Sequence, residues 1–139
     1  MNQKARDRAA VFIVRDGKLL VIHRRKRGES YDAIPGGKLE EGESPAEAAV
    51  REVAEETGMT IRVGAPVFVL DNEGRRESYF DALEAKGEPV LGGPELERNS
   101  PENSYVLDWM SLRDLKNAPI KPPALKSWMV SRDWNDGSR

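Results

Sequence analysis

The segment from Ser44 to Gly58 constrains this chain more tightly than any other, because it reads as one helix with both ends marked. Ser44 is a favourable N-cap, Pro45 suits the first helical position because its missing N–H is not needed there, and Glu47 completes a capping box with Ser44. Gly58 offers the left-handed residue that ends a helix, so the expected span is Pro45 to Thr57. On a helical projection Ala46, Ala49, Val50, Val53 and Thr57 share one flank, which should pack on a sheet. The other flank is Arg51, Glu52, Glu55 and Glu56. Glu52 stands three and four residues before Glu55 and Glu56, so the like charges repel, each pair costing roughly 0.2–0.5 kcal/mol even when solvated.

One arginine cannot neutralise three neighbouring carboxylates, whereas a hard divalent cation can. Mg²⁺ takes its oxygen ligands from a few carboxylates, water and substrate phosphates. A solvated acidic face is the ordinary alternative, but such faces usually intersperse Lys at i+4 positions and none occurs here. Immediately upstream stands Pro35-Gly36-Gly37, where two glycines let backbone come close to something. A plain turn would use the same residues; beside the acidic flank they read as the wall of a site.

The rest of the chain alternates strand and turn signals. Ala10 to Val14 and Leu19 to Ile22 are apolar and flank the hairpin signal Asp16-Gly17. Ile61 to Leu70 and Ser78 to Leu83 flank Asn72-Glu73-Gly74, which predicts a second long hairpin. Gly87 to Asn103 is rich in Gly, Pro, Asn and Ser and reads as a long excursion carrying Glu95 and Glu97. Tyr105 to Met110 resumes a strand, Ser111 can cap a short turn at Leu112 to Leu115, and Pro122 to Trp134 reads as a closing helix.

Size and charge narrow the function classes. A chain of 139 residues suits one domain, residues 1–139, and is too short for two ordinary cores. With 22 basic and 24 acidic side chains the net charge is −2, so no global field marks a nucleic-acid or membrane binder. There is no cysteine, which removes disulfides, thiolate zinc sites and thiol nucleophiles and fits a cytoplasmic protein. Met1 to Ala10 lacks the apolar stretch of a signal peptide, and no run approaches membrane-spanning length, so a soluble cytoplasmic protein is expected.

Gly37, Glu43, Arg51, Glu52, Val53, Glu55, Glu56, Gly58 and Met59 match every fixed position of the Nudix box, and the chain resembles the Nudix (MutT-like) hydrolases. The flanking strands and Pro35-Gly36 resemble the family too. The resemblance implies an α/β fold in which a mixed sheet is sandwiched between helices. It implies Glu52, Glu55 and Glu56 as metal ligands with the Gly37 carbonyl, Arg51 as the residue orienting them, and Glu43 as its partner across the loop. It implies Mg²⁺, with Mn²⁺ as a substitute, and hydrolysis of a phosphoanhydride in a nucleoside diphosphate linked to another group. In some relatives the general base sits on a loop outside the box, which brings Glu97, and behind it Glu95, into consideration.

Substrate contacts are expected outside the box. Arg24 leads the cationic stretch Arg24 to Arg27, where substrate phosphates could meet it or where the charges could simply be solvated. Family members commonly carry an aromatic two residues before the apolar-Pro-Gly-Gly run; here Asp32 stands there, and its neighbour Tyr31 could substitute. Tyr79, Phe80, Tyr105 and Trp109 are candidate base-stacking rings, although a sheet also needs aromatics in its core. His23, the only histidine, reads as a satisfied structural side chain. Rival readings are a nucleotide-holding sensor without turnover, whose relatives often lose box carboxylates, and an RNA 5′-end pyrophosphohydrolase, which the balanced charge does not favour. Homodimers are frequent in the family, so a homodimer is an open expectation.

Overall fold

The computed structural model describes residues 7–134, apart from the side chains of Pro94, Glu95 and Glu97. Its central unit is a mixed sheet built around β1 (Arg8–Phe12). This strand pairs antiparallel with β5 (Gly36–Lys38) and parallel with β8 (Arg75–Lys86). Two further strands pair antiparallel with β8, β7 (Phe68–Asn72) with its first half and β6 (Thr60–Val63) with its second. A second, antiparallel sheet joins β2 (Val14–Arg15), β3 (Lys18–Lys26), β4 (Glu29–Ala33) and β9 (Asn103–Ser111), with β3 in the middle.

Alternation along β1 divides the interior. Ala9, Val11 and Ile13 face α1 (Pro45–Thr57) and pack with Ala48, Ala49, Val53, Leu20 and Phe80. Ala10 and Phe12 face the opposite way and pack with Leu125, Met129 and Trp134, the first two on α3 (Pro123–Ser131) and the last just beyond it. Successive side chains of a strand point to opposite faces, so this two-residue period makes one strand the middle layer of an α/β/α sandwich. On the α3 side Phe12 stacks on Tyr79 and Trp128, with ring centroids 5.7 and 5.5 Å apart.

Where the elements depart from the sequence reading, a local residue accounts for it. The first hairpin turns at Asp16-Gly17 as expected, but its strands are β2 and β3, and β1 is set apart from β2 at Ile13. The expected strand Ile61 to Leu70 is split into β6 and β7 by Gly64-Ala65-Pro66, a proline having no N–H to give a ladder. Inside the Gly87 to Asn103 excursion lies a short helix, α2 (Gly93–Arg98), opened by Pro94 in its first turn. Arg24 to Lys26 continue β3 instead of leaving it, and the chain reverses at Arg27-Gly28, both with positive φ. The turn after Ser111 is a 3-10 helix, Leu112–Asn117, with the Ser111 hydroxyl accepting from the Arg113 N–H.

His23 ties the second sheet together across three strands. Its Nδ1 lies 2.6 Å from Asp32 Oδ1 on β4 and its Nε2 2.8 Å from Asp108 Oδ2 on β9. Asp32 is therefore turned onto the imidazole and buried. Burial opposes the charge on His23, but the two carboxylates outweigh it and hold its pKa above the ordinary 6.5. A pKa raised by folding stabilises the native state fully below the unfolded value, and the benefit fades as pH rises through the folded value. The melting-temperature gap between wild type and His23→Gln should therefore be widest below about pH 6.5 and narrow in alkali. A gap that is flat or widens with pH, measured by calorimetry, would contradict the charged clamp.

Candidate active site

Helix α1 arrives with every end signal in place. Ser44 Oγ accepts from the Glu47 N–H at 3.1 Å, Glu47 Oε1 accepts from the Ser44 N–H at 2.9 Å, and Gly58 closes the helix at φ 77°. A cap of this kind contributes roughly 1 kcal/mol. The buried face is rotated from the expected one: Ala48 is buried, Val50 is 36% exposed, and Glu56 is turned inside at 3%. The Gly36–Lys38 strand is what turns it, because α1 packs against β5 as well as β1.

Two glycines let that contact form. A Cβ on Gly37 would lie 2.3 to 2.6 Å from the carboxyl atoms of Glu52. The Gly36 N–H donates to Glu56 Oε1 at 3.0 Å, and a Cβ there would lie 2.2 Å from the Ala9 carbonyl oxygen. The carboxylates of Glu52 and Glu56 thus meet one two-residue stretch of strand. A third acid, Glu55, is more exposed and accepts from Arg51 Nη1 at 3.2 Å.

Arg51 distributes its donors among the acids around it. Nε and Nη2 fork onto Glu43 at 2.6 and 3.0 Å, Nη2 also reaches the Lys38 carbonyl, and Nη1 lies between Glu52 and Glu55. Bidentate charge-assisted pairs of this type fix geometry as well as charge. The Glu43 bond, against an opposing contribution from burial, holds the Arg51 pKa well above its usual range. Arg51 in turn lowers the Glu43 carboxyl below 4.5; burial opposes this, and the Glu40 N–H assists it. Among the described residues no three acidic or imidazole side chains converge as a ready metal cage. Arg51 draws Glu52 and Glu55 to one side, while Glu56 turns to the Gly36 amide.

The donor set still fits Mg²⁺. Three carboxylates on one helical stripe and a strand carbonyl are all hard oxygen donors, and Glu52 already presses into the space that a Gly37 side chain would fill.

Glu52, Glu55 and Glu56 line a cleft of about 950 Å³ that Arg8, Arg24, Lys26, Lys38, Arg98 and Lys121 also line. Arg24 and Tyr31 both line it. The Arg24 guanidinium lies 3.7 Å from the Tyr105 ring centroid and 5.9 Å from that of Tyr31, while both its Nη atoms donate to Asn103 Oδ1. Tyr79 also lines the cleft; its ring packs against Phe12 and Phe68, and its hydroxyl donates to Glu77 Oε1 at 2.8 Å. Phe80 is wholly in the α1-side core, and Trp109 lies under Arg15. The side chains of Glu95 and Glu97 lie outside the described residues. Their segment is tied to the acidic helix by Val90 N–H to the Thr57 carbonyl and Gly92 N–H to the Glu56 carbonyl, both at 2.8 Å.

Sequence reasoning missed Asn103 and Glu77. Asn103 gives no signal in one dimension, because it is the register Lys26↔Asn103 that brings it beside β3. Glu77 carries a signal: it shares the inward parity of Tyr79 in a strand, so a charge there is anomalous.

A mixed sheet between two helical layers, with an acidic helix laid against a glycine strand at the mouth of a cleft, defines a class of small α/β/α domains. The particular family follows from comparison: the chain belongs to the NUDIX family, whose domain matches residues 4–129. It is 38% identical over 90 residues to a putative 8-oxo-dGTP diphosphatase of Bacillus subtilis (strain 168), covering 63% of this chain and 59% of that one. It is 30% identical over 128 residues to the CTP pyrophosphohydrolase of Escherichia coli (strain K12), covering 88% and 90%. The crystal structure of a MutT NUDIX hydrolase from Burkholderia pseudomallei superposes with a TM-score of 0.70 at 26% identity, covering 91% of this chain and 98% of that one. The chain spans 59–66% of the length of the first curated relatives it matches. Among the described residues no helix is long and apolar enough to cross a membrane.

The two glycines should fail differently. Gly36→Ala meets backbone and should cost roughly 1–3 kcal/mol of stability, several degrees in Tm. Gly37→Ala meets first the far end of the Glu52 side chain and should leave Tm nearly unchanged while displacing that carboxylate and depressing any hydrolytic turnover. Equal Tm losses in the two variants would remove the distinction.

Proposed function

We propose that this chain is a Nudix pyrophosphohydrolase that cleaves a phosphoanhydride in a nucleoside diphosphate linked to another group, with Mg²⁺ or Mn²⁺ as its cofactor. The observation that carries this reading is the meeting of the Glu52 and Glu56 carboxylates at Gly36-Gly37, on the wall of a cation-lined cleft. The activities for which relatives are named support it: a putative 8-oxo-dGTP diphosphatase, a CTP pyrophosphohydrolase and an ADP-ribose pyrophosphatase share a nucleoside diphosphate in their substrates.

Each residue has a chemical task in this reading. Glu52, Glu55, Glu56 and the Gly37 carbonyl would hold the cation, which when bound would neutralise phosphate oxygens and acidify water. Arg51, anchored on Glu43 and Lys38, keeps Glu52 and Glu55 from swinging to solvent. Arg24, fixed by Asn103 and Tyr105, presents its charge to the far phosphates or the group beyond them, with Tyr31 beside it. In the cleavage a water oxygen bonds to phosphorus, the bond from phosphorus to the bridging oxygen breaks, and the water proton passes to a carboxylate. Glu97, on a segment bound to the acidic helix, is assigned as that base, with Glu95 the alternative. A nucleotide pocket normally falls within about 300–1,000 Å³, which this cleft does.

Glu55→Gln and Glu56→Gln should each lower kcat by at least about a hundredfold. Their metal-free Tm should be unchanged or slightly raised through relief of repulsion. EDTA should abolish turnover and added Mg²⁺ or Mn²⁺ restore it. Glu97→Gln should depress kcat more than KM, because proton transfer belongs to the transition state. A panel of nucleoside triphosphates, nucleotide sugars, ADP-ribose and one 5′-triphosphorylated RNA, read by phosphate or pyrophosphate release, separates the readings. Binding of nucleotides without release of either product would favour a sensor, and turnover confined to the RNA an end-processing enzyme.

A further inference from the structure

Arg8 and Lys38 are Cα partners across β1 and β5, and both line the cleft. Directly opposed residues of an antiparallel pair leave the same face of the sheet with Cβ atoms about 5 Å apart, and like charges so placed repel. Among the described residues neither side chain forms an ion pair or a hydrogen bond. Arg8 is also half-buried, which leaves its charge less screened by solvent than that of a surface side chain.

The anion opposite Arg8 on its other side is committed elsewhere. β8 sets Glu77 as the Cα partner of Arg8, and Glu77 is 2% exposed. Its Oε2 accepts from Asn72 Nδ2 at 3.1 Å and from Arg75 Nε and Nη2 at 3.1 and 2.7 Å, and its Oε1 accepts from the Tyr79 hydroxyl at 2.8 Å. Its charge is thus met by Arg75, and Arg8 is left as a cation beside a cation.

Register fixes where this pair stands. Gly36 pairs with Ala10 and Ala10 with Tyr79, while Lys38 pairs with Arg8 and Arg8 with Glu77. The two cations are therefore two residues along the strands from the Gly36 row, about 7 Å at the usual rise. Arg8 stands one strand from the glycine wall and one from the Glu77 cluster. It acts toward the cluster: burial and Glu77 push the Tyr79 pKa up, and the Arg8 charge opposes them. A group held by these two side chains would lie beside the glycine wall and not at it.

We propose that Arg8 and Lys38 form an anion subsite, distinct from the acidic wall, that takes a phosphate group. A guanidinium fork and an ammonium starting about 5 Å apart can converge on the oxygens of one tetrahedral group, whose charge removes their repulsion. Two sources supply that chemistry: a phosphate carried by the substrate outside the anhydride that is cleaved, or free inorganic phosphate. The first source rests on the function proposed above; the second does not.

The test is calorimetric titration of the protein in EDTA at low ionic strength, where the metal plays no part and nucleotides stay intact. The ligands are inorganic phosphate and two pairs differing by one phosphate, GTP against GDP and 2′-phospho-ADP-ribose against ADP-ribose. The more phosphorylated member of at least one pair should bind at least about tenfold more tightly. Arg8→Gln and Lys38→Gln should each cut that ratio to about threefold or less, and Arg8→Lys, which keeps the charge and loses the fork, should retain part of it. Arg62→Gln removes an exposed cation outside the cleft and should leave the ratio unchanged, while Tm reports that each variant is folded. Equal affinities within both pairs, with inorganic phosphate bound by the wild type and lost in Arg8→Gln, would assign the subsite to the free anion. Equal affinities within both pairs and no binding of inorganic phosphate would overturn it. So would ratios and phosphate binding unchanged in folded Arg8→Gln and Lys38→Gln proteins, or an equal loss in Arg62→Gln. Failure to cleave any nucleotide once Mg²⁺ is supplied, with the metal-free results standing, would overturn the proposed reaction and leave the subsite in place.

Discussion

The Glu56 carboxylate accepting the Gly36 amide, with the Glu52 carboxylate pressed against Gly37, is the contact on which the rest of the architecture turns. It needs a strand without side chains beside a helix with long acidic ones. The helix must therefore lie close, and the closeness rotates α1 so that Glu56 goes inside and Val50 comes out. β1 is then held from three directions, by β5, by β8 and by α1, and its alternation sorts the interior into two cores. Packing and chemistry share these residues: a Cβ at Gly36 would meet the backbone of β1, and one at Gly37 the Glu52 carboxyl.

Electrostatics explain how so many acids are tolerated in one place. Arg51 sits among Glu43, Glu52 and Glu55, with the Lys38 carbonyl completing its shell, so the acids are spaced by a guanidinium instead of facing one another. Elsewhere in the cleft lining bases are held singly: Arg24 over Tyr105 by Asn103, and Arg75 by Glu77. A chain with a net charge of only −2 thereby lines one cavity with many charges of both signs, a local concentration that overall composition conceals.

Much of this was legible in one dimension wherever the information is local. The capping box, the proline at the first turn and the terminal glycine each depend on residues within a few positions, and the helix spans Pro45 to Thr57 as they indicate. The acidic stripe and the glycine pair follow from spacing alone. Local signals were weaker where two of them compete: Ile61 to Leu70 has strand propensity throughout, yet Gly64-Ala65-Pro66 breaks it. The aromatic candidates could not be sorted in one dimension, because a ring that can stack on a base can stack equally well on Phe12 and Phe68, as Tyr79 does.

The sequence by itself determined the helix, the order and polarity of its side chains, and the family to which they belong, since these are set by neighbours along the chain. Tertiary structure decided which acids face the glycines, that Asn103 reaches Arg24 from β9, and that Glu77 gathers Asn72, Arg75 and Tyr79. The physical reason is register. Pairing between β3 and β9 joins residues nearly eighty positions apart, and pairing of β5 and β8 to β1 sets how far the Glu77 cluster stands from the glycine wall. Neither distance is written in the spacing of any single segment.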